Sequence, residues 1–211
     1  EWWNPRGPFA PLHALNPTRI EYIQQQTGAL EGKTLLDIGC GGGLIAEPMA
    51  RLGARVTAID ASEKNIAIAQ THATQSNLAI DYRCMPAETL AAQGAQFDVV
   101  LALEIVEHVA DVEAFIAAAC ALTKPGGTLI FSTLNRTAKS YAMAIIGAEY
   151  ILRMLPRGTH DWNKFLKPSE LAIPLERNGA KISNIMGMVY HPLSKNWQLD
   201  ARDVSVNYLM T

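Results

Sequence analysis

Residues 35–43 read LLDIGCGGG. An apolar strand, Thr34–Ile38, runs into a cluster of small residues. Gly39, Gly41 and Gly43 let the backbone turn sharply there and approach a ligand closely. A helix is expected over Leu44–Arg51, closed by Gly53, and its N-terminus would face a polar or anionic group. A second strand, Arg55–Ile59, ends at Asp60, 21 residues after Gly39. A carboxylate at that place can accept both hydroxyls of a ribose. A nicotinamide-dependent oxidoreductase would share these features, but two details differ. The dinucleotide fingerprint GxGxxG requires glycine at position 44, which here is Leu44. Asp37 also sits where such a strand is usually apolar, and its carboxylate suits a ligand carrying a positively charged amine.

The same alternation continues outward. Ser62 caps a helix running to about Gln75. Ile80–Arg83 is a weaker strand and Phe97–Leu103 a strong one. Asp111 caps a helix through Leu122, Lys124–Gly127 forms a tight turn, and Thr128–Ser132 is the fifth strand. Strands alternating with helices predict an α/β fold with a mostly parallel sheet, whose ligands bind beyond the carboxyl ends of the strands. Lys181–Tyr190 and Val204–Met210 are expected to form an antiparallel pair. At the start, Asn16, Pro17 and Gly28 mark a helix by cap, first position and stop. Pro174 predicts a break or kink within Ser169–Asn178.

Residues 103–109 read LEIVEHV. Glu104, Glu107 and His108 follow a strand buried on both faces, where unpaired charge is costly. On a helical turn, positions i, i+3 and i+4 share a face. Two carboxylates and an imidazole would then converge at the ligand-binding edge, as metal ligands or as proton acceptors. Their other reading is a helix cap or a pocket lining. His13 and His160 are alternative bases.

The chain has 211 residues, 49% of them hydrophobic, enough for one domain with a sizeable core. A net charge of −2 gives no footprint for nucleic-acid binding. Cys40, Cys84 and Cys120 are far apart and odd in number. They predict neither a disulfide framework nor a zinc site, and point to a reducing, cytoplasmic compartment. No uninterrupted apolar run of about 18 residues occurs, so no spanning helix is expected. No signal peptide is visible, and the chain starts at Glu1 rather than Met, which leaves a preceding targeting segment open.

DIGCGGG, Asp60, FDVVLALEIVEHV and LTKPGG together resemble the class I S-adenosylmethionine-dependent methyltransferases. WWNPRGPFAPLHALNPTR, STLNRTAKSYAMAIIGAEYILRMLPRGTHDW and VNYLMT narrow the resemblance to the ubiquinone-biosynthesis O-methyltransferases, over nearly the whole chain. The resemblance implies a Rossmann-like, seven-stranded, mostly parallel sheet with an antiparallel last strand and helices on both faces. It implies S-adenosyl-L-methionine as methyl donor and a polyprenyl catechol or hydroquinone as substrate. By position, Asp37, Gly39, Cys40 and Gly41 would hold the methionine part, Asp60 and Ala61 the ribose, and Leu103 a wall beside the cofactor. Arg19 falls where the family places a cofactor-binding arginine. Many class I enzymes carry an acid after the third strand, near the adenine amine. Here Pro86 stands at that place, leaving Ala87 and Glu88 as the adenine contacts. The family further implies Mg²⁺ on Glu104, Glu107 and His108, with Glu107 and His108 as catalytic groups, and protein partners of the ubiquinone pathway.

The chain is expected to be a single methyltransferase domain, 1–211, with 137–168 as an inserted lid or membrane-facing segment. Within it, Tyr141–Leu155 is apolar but interrupted by Glu149 and Arg153, too short and too charged to span a bilayer. Arg153, Arg157, Lys164 and Lys167 would supply positive charge toward an anionic membrane surface. A core or dimer-interface helix is the other reading. The family implies peripheral association at the inner face of the membrane.

Overall fold

The protein is described from a computed structural model, which covers residues 2–142, 161–191, 194 and 196–211. One sheet organises these residues. Its strands are β1 (Thr34–Ile38), β2 (Arg55–Asp60), β3 (Asp81–Cys84), β4 (Phe97–Leu103), β5 (Thr123–Leu134), β6 (Ile185–His191), β7 (Asn196–Asp200) and β8 (Asn207–Met210). Their order is β3-β2-β1-β4-β5-β8-β6-β7. From β3 to β5 every pairing is parallel, and β8 enters antiparallel between β5 and β6. The antiparallel last strand is therefore as expected, whereas the strand count is eight rather than seven. The extra strand, β7, extends the edge as a hairpin partner of β6.

Parallel strands need crossovers, and helices supply them. They are α1 (Ala10–Thr27), α2 (Ala46–Arg51), α3 (Glu63–Gln75), α4 (Ala87–Ala92), α5 (Val112–Ala121), the single turn α6 (Ala138–Ser140) and α7 (Pro168–Arg177). Two apolar cores result, one on each face of the sheet. Tyr22, Ile23, Met49, Ala69 and Leu101 belong to the first. Leu90, Val100, Ile116, Phe131 and Leu171 belong to the second. Both cores need the central strands buried on both sides, and Leu35 and Leu36 are accordingly inaccessible in opposite directions. Each such side chain contributes about 1.5–3 kcal/mol by leaving water.

Helix starts and stops follow local chemistry at α3 and α5. Ser62 and Asp111 accept the backbone N–H groups of Asn65 and Ala114. Two expectations need correction. α1 begins at Ala10, so Pro17 lies inside the helix and Asn16 is no cap. The Asn16 amide instead donates to the Leu44 carbonyl, 3.0 Å away, tying α1 to the residue that follows the glycine loop. Pro11, near the helix start, takes the role assigned to Pro17. α7 likewise runs unbroken across Pro174, because Leu171, Pro174 and Leu175 are buried together on one side. Among the described residues, no helix is long and apolar enough to cross a membrane.

Candidate active site

Register brings the site together. Ile38 lies beside Ile59 on one side and Ala102 on the other. The carboxyl ends of β1, β2 and β4 are therefore level, with Gly39, Asp60 and Leu103 at one edge. The Gly39 and Cys40 amides donate to the Ile59 carbonyl, at 2.8 and 3.0 Å, which folds the loop back over β2. Gly39 has φ +75°, and a Cβ there would lie 2.7 Å from Ile105 Cγ1. Glycine is required at this position both by conformation and by the approach of the residues after β4. Cys40 is buried, and burial beside Asp37 and Asp60 pushes its thiol up, so it fills space rather than reacts.

Asp60 is held from three sides. Its Oδ2 accepts from Gly41 N at 2.9 Å, and its Oδ1 accepts from Ser62 N at 2.8 Å and Asn65 Nδ2 at 3.2 Å. Ala61 is exposed, and its carbonyl receives the Cys84 thiol at 3.6 Å. Beyond β3, Ala87 is buried at the start of α4, while Glu88 stands exposed beside it.

The decisive feature is a pair of buried opposite charges with unused hydrogen-bonding atoms. Asp37 is 3% exposed and Arg19 is 4% exposed. Asp37 Oδ2 and the Nε and Nη2 atoms of Arg19 have no hydrogen-bond partner. Burial pushes the Asp37 carboxyl up to about 7, against the pull of Arg19 and with a further push from Asp60. Orphaned buried polar groups cost about 1–3 kcal/mol each, and more when charged. An α-amino acid zwitterion would satisfy both, its ammonium on Asp37 and its carboxylate on Arg19. Asp60, the acid expected beside a ribose, ends the neighbouring strand. These residues thus fit the two polar parts of S-adenosylmethionine.

At the end of β4 the charged groups sort by face. Glu104 has φ +52°, a left-handed backbone uncommon outside glycine. Its amide donates to the Ser132 carbonyl at 2.9 Å, and Oε1 accepts from Ser132 Oγ at 3.0 Å. Arg19 Nη2 lies 3.3 Å from the same oxygen. Glu107 is almost fully buried, and its Oε2 accepts from Thr133 Oγ1 at 2.9 Å. Burial, then the charge of Glu104, pushes the Glu107 carboxyl well above the usual carboxylate range.

The expected helical turn is a short 3₁₀ turn, Val106–His108. With about 3.0 residues per turn, neighbouring side chains diverge by about 120°. Glu107 is therefore buried while the next residue, His108, is exposed. Among the described residues, no three of His, Cys, Asp and Glu are grouped as metal ligands. Nor is His13 placed as a base: its Nε2 lies 2.8 Å from the Trp2 carbonyl oxygen. His160 lies outside the described residues, as do residues 143–155 of the apolar segment. Sequence reasoning did not find Ser132 and Thr133, which hold the two carboxyl groups. Their only signal was a pair of hydroxyls ending an apolar strand.

A glycine loop, an acid ending the second strand and a buried Asp37–Arg19 pair at the carboxyl edge of this sheet fit a class I S-adenosylmethionine-dependent methyltransferase. Comparisons agree. The family model described as "Methyltransferase domain" matches residues 36–131. Magnesium protoporphyrin IX methyltransferase from Synechocystis PCC 6803, solved with bound S-adenosylhomocysteine, superposes with a TM-score of 0.66 at 21% identity, over 94% of this chain and 81% of that one. The ubiquinone biosynthesis O-methyltransferase of Cereibacter sphaeroides KD131 is 56% identical over 99% of this chain and 89% of its own length. That of Dinoroseobacter shibae is 54% identical over the same shares, and that of Bartonella bacilliformis is 51% identical over 100% and 89%. The chain belongs to the ubiquinone biosynthesis O-methyltransferase family. It is an S-adenosylmethionine-dependent O-methyltransferase, and the nicotinamide reading is set aside.

Asp37 gives a pH test. Its carboxyl is mostly protonated below about 7 and must ionise to pair with an ammonium. Affinity for S-adenosylhomocysteine, measured by calorimetry, should therefore rise as pH passes through 7. Asp37→Asn should remove the acidic limb. The unliganded fold follows the opposite sign. A carboxyl raised from 3.8 to about 7 by burial penalises the ionised fold, so stability should drop as pH rises through that window.

Proposed function

We propose that the chain transfers a methyl group to a catechol-type hydroxyl of a polyprenylated ubiquinone precursor. The relatives' shared name supports the pathway. The observation that carries the chemistry is the buried Glu107 carboxyl beside the cofactor edge, held by Thr133 and raised by burial and by the charge of Glu104. S-adenosylmethionine supplies an activated methyl group on a sulfonium. What the protein must add is alignment and removal of a phenolic proton, whose pKa is about 10 by analogy with tyrosine.

In this reading Arg19 and Asp37 hold the amino-acid part, with Gly39, Cys40 and Gly41 forming the loop beneath it. Asp60 and Ala61 flank the ribose, Ala87 and Glu88 the adenine, and Leu103 forms a wall. Burial and the charge of Glu104 keep a proton on Glu107, while Arg19 lies 3.3 Å from Glu104. Once it has lost that proton, Glu107 accepts the proton of the attacking hydroxyl, because an acid poised near neutrality suits proton transfer at neutral pH. His108, exposed beside it, is the second candidate acceptor. Glu107→Gln keeps the size and loses the base. It should lower kcat by about 10²–10⁴-fold with little change in S-adenosylhomocysteine affinity, measured by turnover of a short-chain polyprenyl catechol. A simple phenol turned over as fast would favour a methyltransferase of another small-molecule phenol.

Carboxylate oxygens also suit Mg²⁺. Glu104 and Glu107 fit it by donor type and by their mutual repulsion, and His108 completes the set by sequence only. A cation there would lower the phenol pKa. After chelation, Mg²⁺ should restore turnover in a saturable way; turnover independent of added metal would remove the cation from the mechanism.

A polyprenyl substrate resides in a membrane. We place segment 137–168 at that surface as a lid within a single domain, 1–211. Lys164 and Lys167 are among its described cations, and the apolar residues Tyr141 and Trp162 meet edge to face at 6.0 Å. This reading makes the protein peripheral at the inner face, with pathway proteins as further partners. The intact protein should float with anionic liposomes and less with neutral ones; a protein that stays in solution with both would sink it.

A further inference from the structure

The N-terminal residues lie across the glycine loop. The Trp2 ring stacks on Phe9, with centroids 3.8 Å apart and planes within 7°. It covers Gly41 and Gly42, and a Cβ on Gly41 would come within 2.5 Å of it. Trp3 Nε1 donates to the Gly42 carbonyl at 2.9 Å, and its ring stacks on His72 with centroids 3.5 Å apart. Trp2 Nε1 donates to Asn65 Oδ1 at 3.3 Å, and Asn65 Nδ2 donates to Asp60 Oδ1 at 3.2 Å.

Hydrogen-bond capacity gives this chain a meaning. An indole N–H only donates and an ionised carboxylate only accepts. Between them, the Asn65 amide has one orientation, oxygen toward Trp2 and nitrogen toward Asp60. A carboxylate offers about four lone-pair sites. Gly41 N, Ser62 N and Asn65 Nδ2 occupy three of those on Asp60. One remains, yet a ribose presents two hydroxyls. The Asn65 carbonyl oxygen has two lone pairs and gives one to Trp2, so it also has one remaining. Asn65 sits in the first turn of α3, where its backbone N–H meets the Ser62 cap, and its side chain is not needed for that cap.

We propose that Asn65 is the second ribose acceptor, sharing the two hydroxyls of the cofactor with Asp60, and that Trp2 is the positioning residue that aims its carbonyl oxygen. The proposal rests on the reading of Asp60 as a ribose ligand. Asn65 then takes one hydroxyl and Asp60 the other. The strap of Trp2 and Trp3 couples ordering of the N-terminal residues to cofactor binding.

The test is calorimetric binding of S-adenosylhomocysteine and of its 2′-deoxy and 3′-deoxy analogues. The wild-type protein should bind both analogues about tenfold more weakly, roughly the worth of one hydrogen bond. In Asn65→Ala, one analogue should bind as well as the parent ligand while the other keeps its penalty. In Asp60→Asn the assignment should be reversed. Trp2→Phe keeps the stack on Phe9 but loses the donor, and should shrink the same penalty that Asn65→Ala abolishes. Asn65→Ser serves if the alanine variant does not fold. Both deoxy penalties surviving unchanged in the Asn65 variant, and both falling in Asp60→Asn, would overturn the proposal and keep Asp60. Unchanged penalties in Asp60→Asn would overturn the Asp60 reading itself.

Discussion

Everything at the site depends on one constraint: a carboxylate, Asp37, buried in the central strand of the sheet. A buried unpaired charge is costly, and the protein offsets this cost only in part, through Arg19 from α1 and the Ala46 amide at the start of α2. α1 must therefore cross the same edge of the sheet as the glycine loop. The Asn16 bond to the Leu44 carbonyl and the buried Tyr22 and Ile23 hold it there. What is left without a hydrogen bond, one oxygen of Asp37 and Nε of Arg19, with Arg19 Nη2 engaged only in an ion pair with Glu104, matches the ligand that the activity requires.

The parallel part of the fold was legible because several signals agreed. Apolar strands, a glycine loop and capped helices all specify the same βα alternation. The misreadings came where tertiary contacts override local signals. Pro17 has the marks of a helix start, yet Leu15, Arg19, Tyr22 and Ile23 are buried around it and carry the helix through. Pro174 sits on the buried side of α7, so packing holds the helix across the missing N–H. β7 reads NWQLD, too polar to announce a strand, and it pairs only with its hairpin neighbour β6.

The site was legible where charge interrupts an apolar run, as at Asp37, Glu104 and Glu107. It was not legible where an ordinary residue gains its role through a distant contact. Ser132 and Thr133 resemble any hydroxyls in a strand until β4 ends beside them. Asn65 is an ordinary helix residue until Trp2, 63 positions earlier, fixes its amide. His108 shows the converse: spacing proposed a shared face, and the tighter 3₁₀ turn separates it from Glu107.

The strand β5 gives the two carboxyl groups different surroundings. Successive residues on β5 point to opposite faces of the sheet. Ser132 follows the face of Ile130 and meets Glu104; Thr133 follows the face of Phe131 and meets Glu107. Only the first face carries Arg19, so only Glu104 has a permanent cation 3.3 Å away. The second face is walled by buried residues such as Val106 and Tyr208, which leave Glu107 without such a partner. Pleat geometry thus gives two chemically identical side chains different surroundings, one beside a guanidinium and one buried with its carboxyl pushed up. Glu104 itself holds a left-handed backbone, which is uncommon outside glycine.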